Sequence, residues 1–143
     1  MIGYLRGNVL TTKENTLILD VSGVGYKVLC PLPLLLSLSE GDALSLHIHT
    51  HVREDQLTLF GFKDDSDLFL FEKLTSVSGI GPKGALSMLS VHSPSSIAHA
   101  VENGDAAALS STPGVGKKTA EKIIIELKGK LQHLLGAVET DAM

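Results

Sequence analysis

Most of the chemistry in this 143-residue sequence is concentrated in twelve residues, Thr112-Pro113-Gly114-Val115-Gly116-Lys117-Lys118-Thr119-Ala120-Glu121-Lys122-Ile123. Gly-x-Gly followed by an amphipathic stretch predicts a tight turn that opens a helix. Such a turn presents unpaired backbone N–H groups at the positive end of the helix dipole, where phosphate and other anions are favoured. Lys117, Lys118 and Lys122 add side-chain charge at the same place. The pattern also occurs upstream, at Ser78-Gly79-Ile80-Gly81-Pro82-Lys83, an offset of 35 positions. In that register Leu74 aligns with Leu109, Ser76 with Ser111, Gly81 with Gly116, Lys83 with Lys118 and Ala85 with Ala120. Ile80 and Val115, and Met88 and Ile123, are conservative pairs, so the stretch reads as an internal duplication.

Each unit is expected to form helix, tight turn, helix, with Ile80 or Val115 pointing into the core between its two glycines. Pro82 suits the first turn of its helix because its missing N–H loses no hydrogen bond there. The predicted binding set is Gly79, Ile80, Gly81, Lys83, Gly114, Val115, Gly116, Lys117, Lys118 and Lys122. A grip of this kind takes backbone phosphate and carries no base identity, so binding is expected to be independent of sequence and weakened by salt. A nucleotide P-loop requires Gly at 111 and Ser or Thr directly after Lys117. The chain has Ser111 and Lys118 there, which argues against an ATPase, and no cofactor is expected.

Two other groups of residues carry potential chemistry. His47, His49 and His51 alternate with Leu46, Ile48 and Thr50, which puts all three imidazoles on one strand face. A His-x-His metal pair is conceivable there, but no Cys or carboxylate partner is evident. A polar outer face with no metal is the preferred reading. Val52-Arg53-Glu54-Asp55-Gln56 separates two strand patterns and so marks a hairpin tip, which from spacing alone is a solvated charged turn.

The elements that must position these residues fall into two blocks. Residues 2–62 contain five candidate strands, Gly3–Leu10, Thr16–Val21, Gly25–Cys30, Ala43–Val52 and Gln56–Phe62, with no long helix between them. That arrangement predicts a small closed or nearly closed β-barrel of the OB type over 1–63. The composition changes at Lys63-Asp64-Asp65-Ser66-Asp67, whose acids suit the first turn of a helix, and Leu68, Phe71 and Leu74 follow at helical spacing. An all-helical domain is therefore expected over 64–135. In it, Ser93-Pro94 starts a helix to about Glu102, Asn103-Gly104 ends that helix, and Asp105 caps a short Ala-rich helix to about Ser110. The last helix is expected to line up Ala120, Ile124, Leu127, Leu131 and Leu134 on one stripe. Residues 136–143 read as a frayed tail or the start of a linker.

Composition narrows the function classes. A net charge of −4 argues against coating nucleic acid through bulk positive charge, so any contact must be local. The five lysines between Thr112 and Lys130, at 117, 118, 122, 128 and 130, face only Glu121 and Glu126. No apolar run approaches membrane-spanning length, and the opening residues lack a signal peptide's apolar core. The single Cys30 has no internal disulfide partner, which points to a reducing, cytoplasmic setting.

Several of these motifs occur together in one order. Met1-Ile2-Gly3-Tyr4-Leu5-Arg6-Gly7, Gly23-Val24-Gly25-Tyr26, Val52-Arg53-Glu54-Asp55 with Leu59-Phe60-Gly61-Phe62, and the two Gly-x-Gly hairpins resemble the bacterial RuvA family of Holliday-junction-binding proteins from Met1 to about Leu131. The resemblance implies an OB barrel followed by two helix-hairpin-helix units. It also implies a homotetramer whose concave basic face holds a four-way junction, a non-catalytic role in recombination and repair, and branch migration driven by RuvB, a hexameric ATPase. It assigns Glu54 and Asp55 to an acidic pin that repels phosphates at the crossover. The motor contact it implies lies mainly in a third, C-terminal helical domain beyond a flexible linker, and the sequence stops at Met143, about where that linker is expected to begin. Pro113 to Ala120 is also similar to the hairpin of helix-hairpin-helix DNA glycosylases with lyase activity, in which Lys118 would be the nucleophile. That family needs a downstream Asp in a folded helix, and Asp141 in the tail is the only Asp after Lys118.

Overall fold

Period-two alternation of apolar residues in the first half of the chain produces five strands: β1 (Tyr4–Lys13), β2 (Thr16–Val21), β3 (Val24–Leu29), β4 (Ala43–Arg53) and β5 (Gln56–Phe62). They close into a barrel in the order β1-β2-β3-β5-β4, with β3 and β5 parallel and the other neighbours antiparallel. The computed structural model describes residues 1–135. By internal contacts the chain divides into two units, Met1–Leu68 and a second beginning at Phe69. Leu5, Leu17, Leu19, Val28, Leu46 and Leu59 point into the barrel, where closure removes the sheet edges that would otherwise pair with other chains. Cys30 is buried with them, and burial pushes its thiol up to about 12, so it is an inert core group.

The barrel differs from the sequence-based expectation in two places. β1 runs to Lys13 rather than Leu10 because the register shifts between Val9 and Thr11, leaving Leu10 bulged and 55% exposed while Thr11, Thr12 and Lys13 still pair with β2. The apolar run after Cys30 also forms a short helix, α1 (Leu32–Leu36), with a proline in its first turn.

After the barrel come α2 (Asp65–Thr75), α3 (Pro82–Val91), α4 (Pro94–Glu102), α5 (Ala106–Ser110) and α6 (Lys117–Leu127). The predicted caps form. Ser93 Oγ accepts from the Ser96 N–H at 3.1 Å, and the Asp105 carboxylate accepts from the Ala108 N–H at 3.1 Å. α2 buries Leu70, Phe71 and Leu74, with Leu68 only half-buried. The acids before it do not all act as simple dipole partners. Burial, and then the neighbouring Asp64 charge, push the Asp67 carboxyl up to about 6.

The final helix is shorter than its hydrophobic stripe suggested. α6 buries Ala120, Ile123 and Leu127, whereas Ile124 is only half-buried, and the helix stops at Leu127. Gly129 then takes φ +85°, a left-handed conformation that suits glycine. Its N–H donates to both Glu102 carboxylate oxygens, at 2.8 and 3.2 Å. Leu131 and Leu134 are buried, but they belong to a separate segment after this break, which is helical again over 132–135. The expected tail over 136–143, with Asp141 in it, lies outside the described residues.

Candidate nucleic-acid interface

The duplication read at an offset of 35 recurs in the backbone. At the first hairpin the Ser76 hydroxyl donates to the Lys73 carbonyl at 2.6 Å, and at the second Ser111 donates to Ala108, also at 2.6 Å. The Ile80 N–H reaches the Val77 carbonyl at 3.0 Å, and the Val115 N–H reaches Thr112 at 3.0 Å. Gly79 and Gly114 have φ of +94° and +88°, which close both turns in the left-handed region that L side chains avoid. Ile80 and Val115 are 8% and 7% exposed, so each hairpin is pinned by the apolar residue between its glycines. One helical turn further on, the N–H groups of Ala85 and Ala120 bond the carbonyls of Gly81 and Gly116, and both alanines are fully buried.

Gly81 and Gly116 are the N-caps of α3 and α6, with φ/ψ of −90°/175° and −83°/173°. Any residue adopts this extended backbone, and a Cβ added at either position would meet nothing within 4 Å. The protein's own packing therefore does not require glycine there. A glycine N-cap offers the first-turn N–H groups no side-chain acceptor of its own, and among the described residues neither helix has a side-chain cap bond. The caps on α4 and α5 fill that role with Ser93 and Asp105. Around the open helix starts Lys83, Lys117, Lys118 and Lys122 are all exposed. The result is a pair of anion-attracting helix ends on one helical unit.

The two hairpins are also tied together. His92, the C-cap of α3, brings its Nε2 to 3.4 Å from the Ser111 hydroxyl at the start of the second hairpin. Lys73 is drawn elsewhere, over the Phe69 ring at 5.5 Å from its centroid, and His133 packs edge-on against that ring at 4.6 Å. Sequence spacing gave no signal for the His92–Ser111 and Phe69–His133 links, because each joins residues distant along the chain.

Glu54 and Asp55 form the exposed two-residue connection between β4 and β5. The first unit is acidic overall, with nine Asp or Glu against five Lys or Arg in residues 1–68, while residues 69–143 hold seven of each. His47, His49 and His51 are half-buried rather than a solvated row. Tyr4 lies edge-on to His47 at 5.9 Å, and Phe60 to His51 at 6.4 Å. Among the described residues no three His, Cys, Asp or Glu side chains are grouped to hold a metal ion.

Comparison with known proteins agrees with this division of the chain. The family description "RuvA N terminal domain" matches residues 1–61, and "SAM-like Helix-hairpin-helix tandem" matches residues 71–130. The Holliday junction branch migration complex subunit RuvA of Thermobifida fusca is 47% identical over 131 residues, covering 92% of this chain and 65% of the relative. The protein of the same name from Thermoanaerobacter sp. is 50% identical over 132 residues, covering 92% and 71%. That of Caldanaerobacter subterraneus subsp. tengcongensis is 47% identical over 144 residues, covering 100% and 77%. The chain thus spans between 65% and 77% of the length of these three relatives. With a closed barrel, a duplicated Gly-x-Gly hairpin and these matches in one sequence, the chain belongs to the RuvA family.

Proposed function

We propose that this chain binds four-way DNA junctions by their shape, independently of sequence, as the DNA-binding subunit of a branch-migration complex. The observation that carries the reading is the pair of matching hairpins, whose helix starts are open to anions and ringed by exposed lysines. Gly79, Ile80, Gly81 and Lys83 form one grip, and Gly114, Val115, Gly116, Lys117, Lys118 and Lys122 form the other. Two grips at fixed spacing suit consecutive phosphates of a duplex backbone, and they contact no base edge. Duplex binding alone gives no preference for a crossover. That preference is assigned to Glu54 and Asp55, whose charge disfavours phosphate and so favours an open centre where strands change partners.

The names of the relatives support a place in a branch-migration complex; within it we assign this chain a non-catalytic role beside a RuvB-type ATPase, with residues 1–63 as the barrel domain and 64–135 as the DNA-binding domain. A homotetramer suits a four-armed ligand, because each subunit can then hold an equivalent arm. A gel-shift series with a four-way junction and a linear duplex of the same sequence tests the reading. Tighter binding to the junction, weakening steeply with salt, is expected; equal affinity for the two would overturn it.

A further inference from the structure

The β4–β5 hairpin presents two unlike faces where it passes the end of the barrel. The stripe that sends Leu46 and Ile48 into the core continues along β4 to Thr50 and Val52. Across the ladder, Thr50 pairs with Leu59 and Val52 with Leu57. Leu46, Ile48 and Leu59 are buried, but Val52 is 53% exposed and Leu57 60% exposed. The inward alternation of the strand has therefore outrun the core, leaving an apolar cross-strand pair in water directly beneath the Glu54-Asp55 turn. The opposite face carries His51 and Arg53, and the Arg53 Nε–H donates to His51 Nε2 at 3.0 Å.

We propose that Val52 and Leu57 form an apolar wedge that rests against the face of an unstacked nucleobase at the crossover. This rests on the junction-binding reading above and names the part of the DNA that the hairpin meets. Two carboxylates at the tip repel phosphate, so the sugar-phosphate backbone is not the ligand of this face. The strand's cation, Arg53, lies on the other face beside His51. The remaining part of DNA is the base, which is uncharged and apolar on its flat surface. Bases offer that surface only where stacking is interrupted, as it is where four duplex arms meet. Apolar side chains serve as wedges at unstacked base steps elsewhere in DNA recognition. An exposed apolar pair at a hairpin tip otherwise only raises the risk of association.

The test uses the full chain and an immobile junction with 2-aminopurine, a fluorescent base whose emission rises on unstacking, at the crossover. The wild type is expected to raise the emission severalfold at saturation, and the Val52→Ser/Leu57→Ser variant to leave it near the value of free junction. Junction affinity of that variant should fall by no more than about tenfold, because phosphate contacts elsewhere supply most of the binding. Emission that rises equally with both proteins overturns the wedge. A change in assembly mass between the two proteins by light scattering also overturns it, since the pair then serves contact between copies of this chain. Failure of the wild type to prefer junction over duplex is a different result, and it removes the junction reading itself. The chain has no Trp, so Leu57→Trp supplies a single independent reporter. Its emission should be quenched by junction and not by linear duplex, and an unquenched signal on saturating junction counts against the wedge.

Discussion

The two hairpins share a backbone but not a charge. Their turn glycines differ by 6° in φ, the bonds that close both turns are 3.0 Å, and both central residues are buried to nearly the same degree. Around that common frame the first hairpin has Pro82 and Lys83, whereas the second has Lys117, Lys118 and, one turn on, Lys122. Geometry is set by residues that face inward or adopt special dihedrals. Charge is set by exposed positions that are free to differ. α4 and α5 extend the contrast, because their N–H groups are taken by Ser93 and Asp105. Helix ends are open at the two places where a helix follows a Gly-x-Gly turn, and closed by a side chain at these two neighbours.

The charge difference gives the largest expected effect. Lys117→Ala/Lys118→Ala should weaken junction binding by at least about tenfold at moderate salt and lower the salt slope by about two, while Lys83→Ala lowers it by about one. Filter-binding titrations across a salt series measure both. Equal losses from the two hairpins would show that their lysines are not additive phosphate contacts.

The glycines divide next. Gly114→Ala forces an L side chain to φ +88°, so it should cost about 1–2 kcal/mol of stability in denaturant unfolding. Gly116→Ala places its methyl in open space on extended backbone, so its cost should be no more than about 1 kcal/mol, the difference between Gly and Ala as N-caps. Its junction affinity should nevertheless fall, because the methyl stands where phosphate approaches the N–H groups. Undiminished affinity for Gly116→Ala would remove the phosphate grip from this helix start.

A smaller asymmetry lies beneath the turns. Thr112, the counterpart of Val77, is 1% exposed, and its hydroxyl has no hydrogen-bond partner among the described residues. A buried unsatisfied hydroxyl is destabilising, so Thr112→Val should raise unfolding free energy by about 1 kcal/mol, and Val77→Thr should lower it by a similar amount. Thermal unfolding of the two variants checks whether the halves are interchangeable at this position.

The start of α2 provides the last contrast, since it is acidic where α3 and α6 are basic. The folded Asp67 carboxyl keeps its proton to about pH 6, against an ordinary value of 3.8. Between those values the folded state binds more protons than the unfolded state, so stability falls as pH rises through the window and levels off above it. Asp67→Asn should remove that slope. Unfolding free energies measured from pH 4 to pH 7 read it directly, and a slope unchanged in the variant assigns it to another group.

Much of this was legible in the chain itself. Alternating apolar residues reported five strands, Ser93 and Asp105 announced their helix starts, and the repeat at an offset of 35 predicted two matching turns, because each of these signals depends on neighbours a few residues apart. Other features depend on which distant groups meet. The hydrophobic stripe after Lys117 reads as one long helix, but Glu102 captures the Gly129 N–H and the stripe breaks at Leu127. The same limit applies at the β4–β5 hairpin. Alternation assigns Val52 and Leu57 to the inward phase, yet only the closed barrel shows that the hairpin extends past its core. Local sequence determined the turns, the caps and the charges, since those follow from dihedral preference and spacing. Tertiary structure decided where the barrel ends and which apolar residues it leaves in water, because burial depends on what packs across the fold.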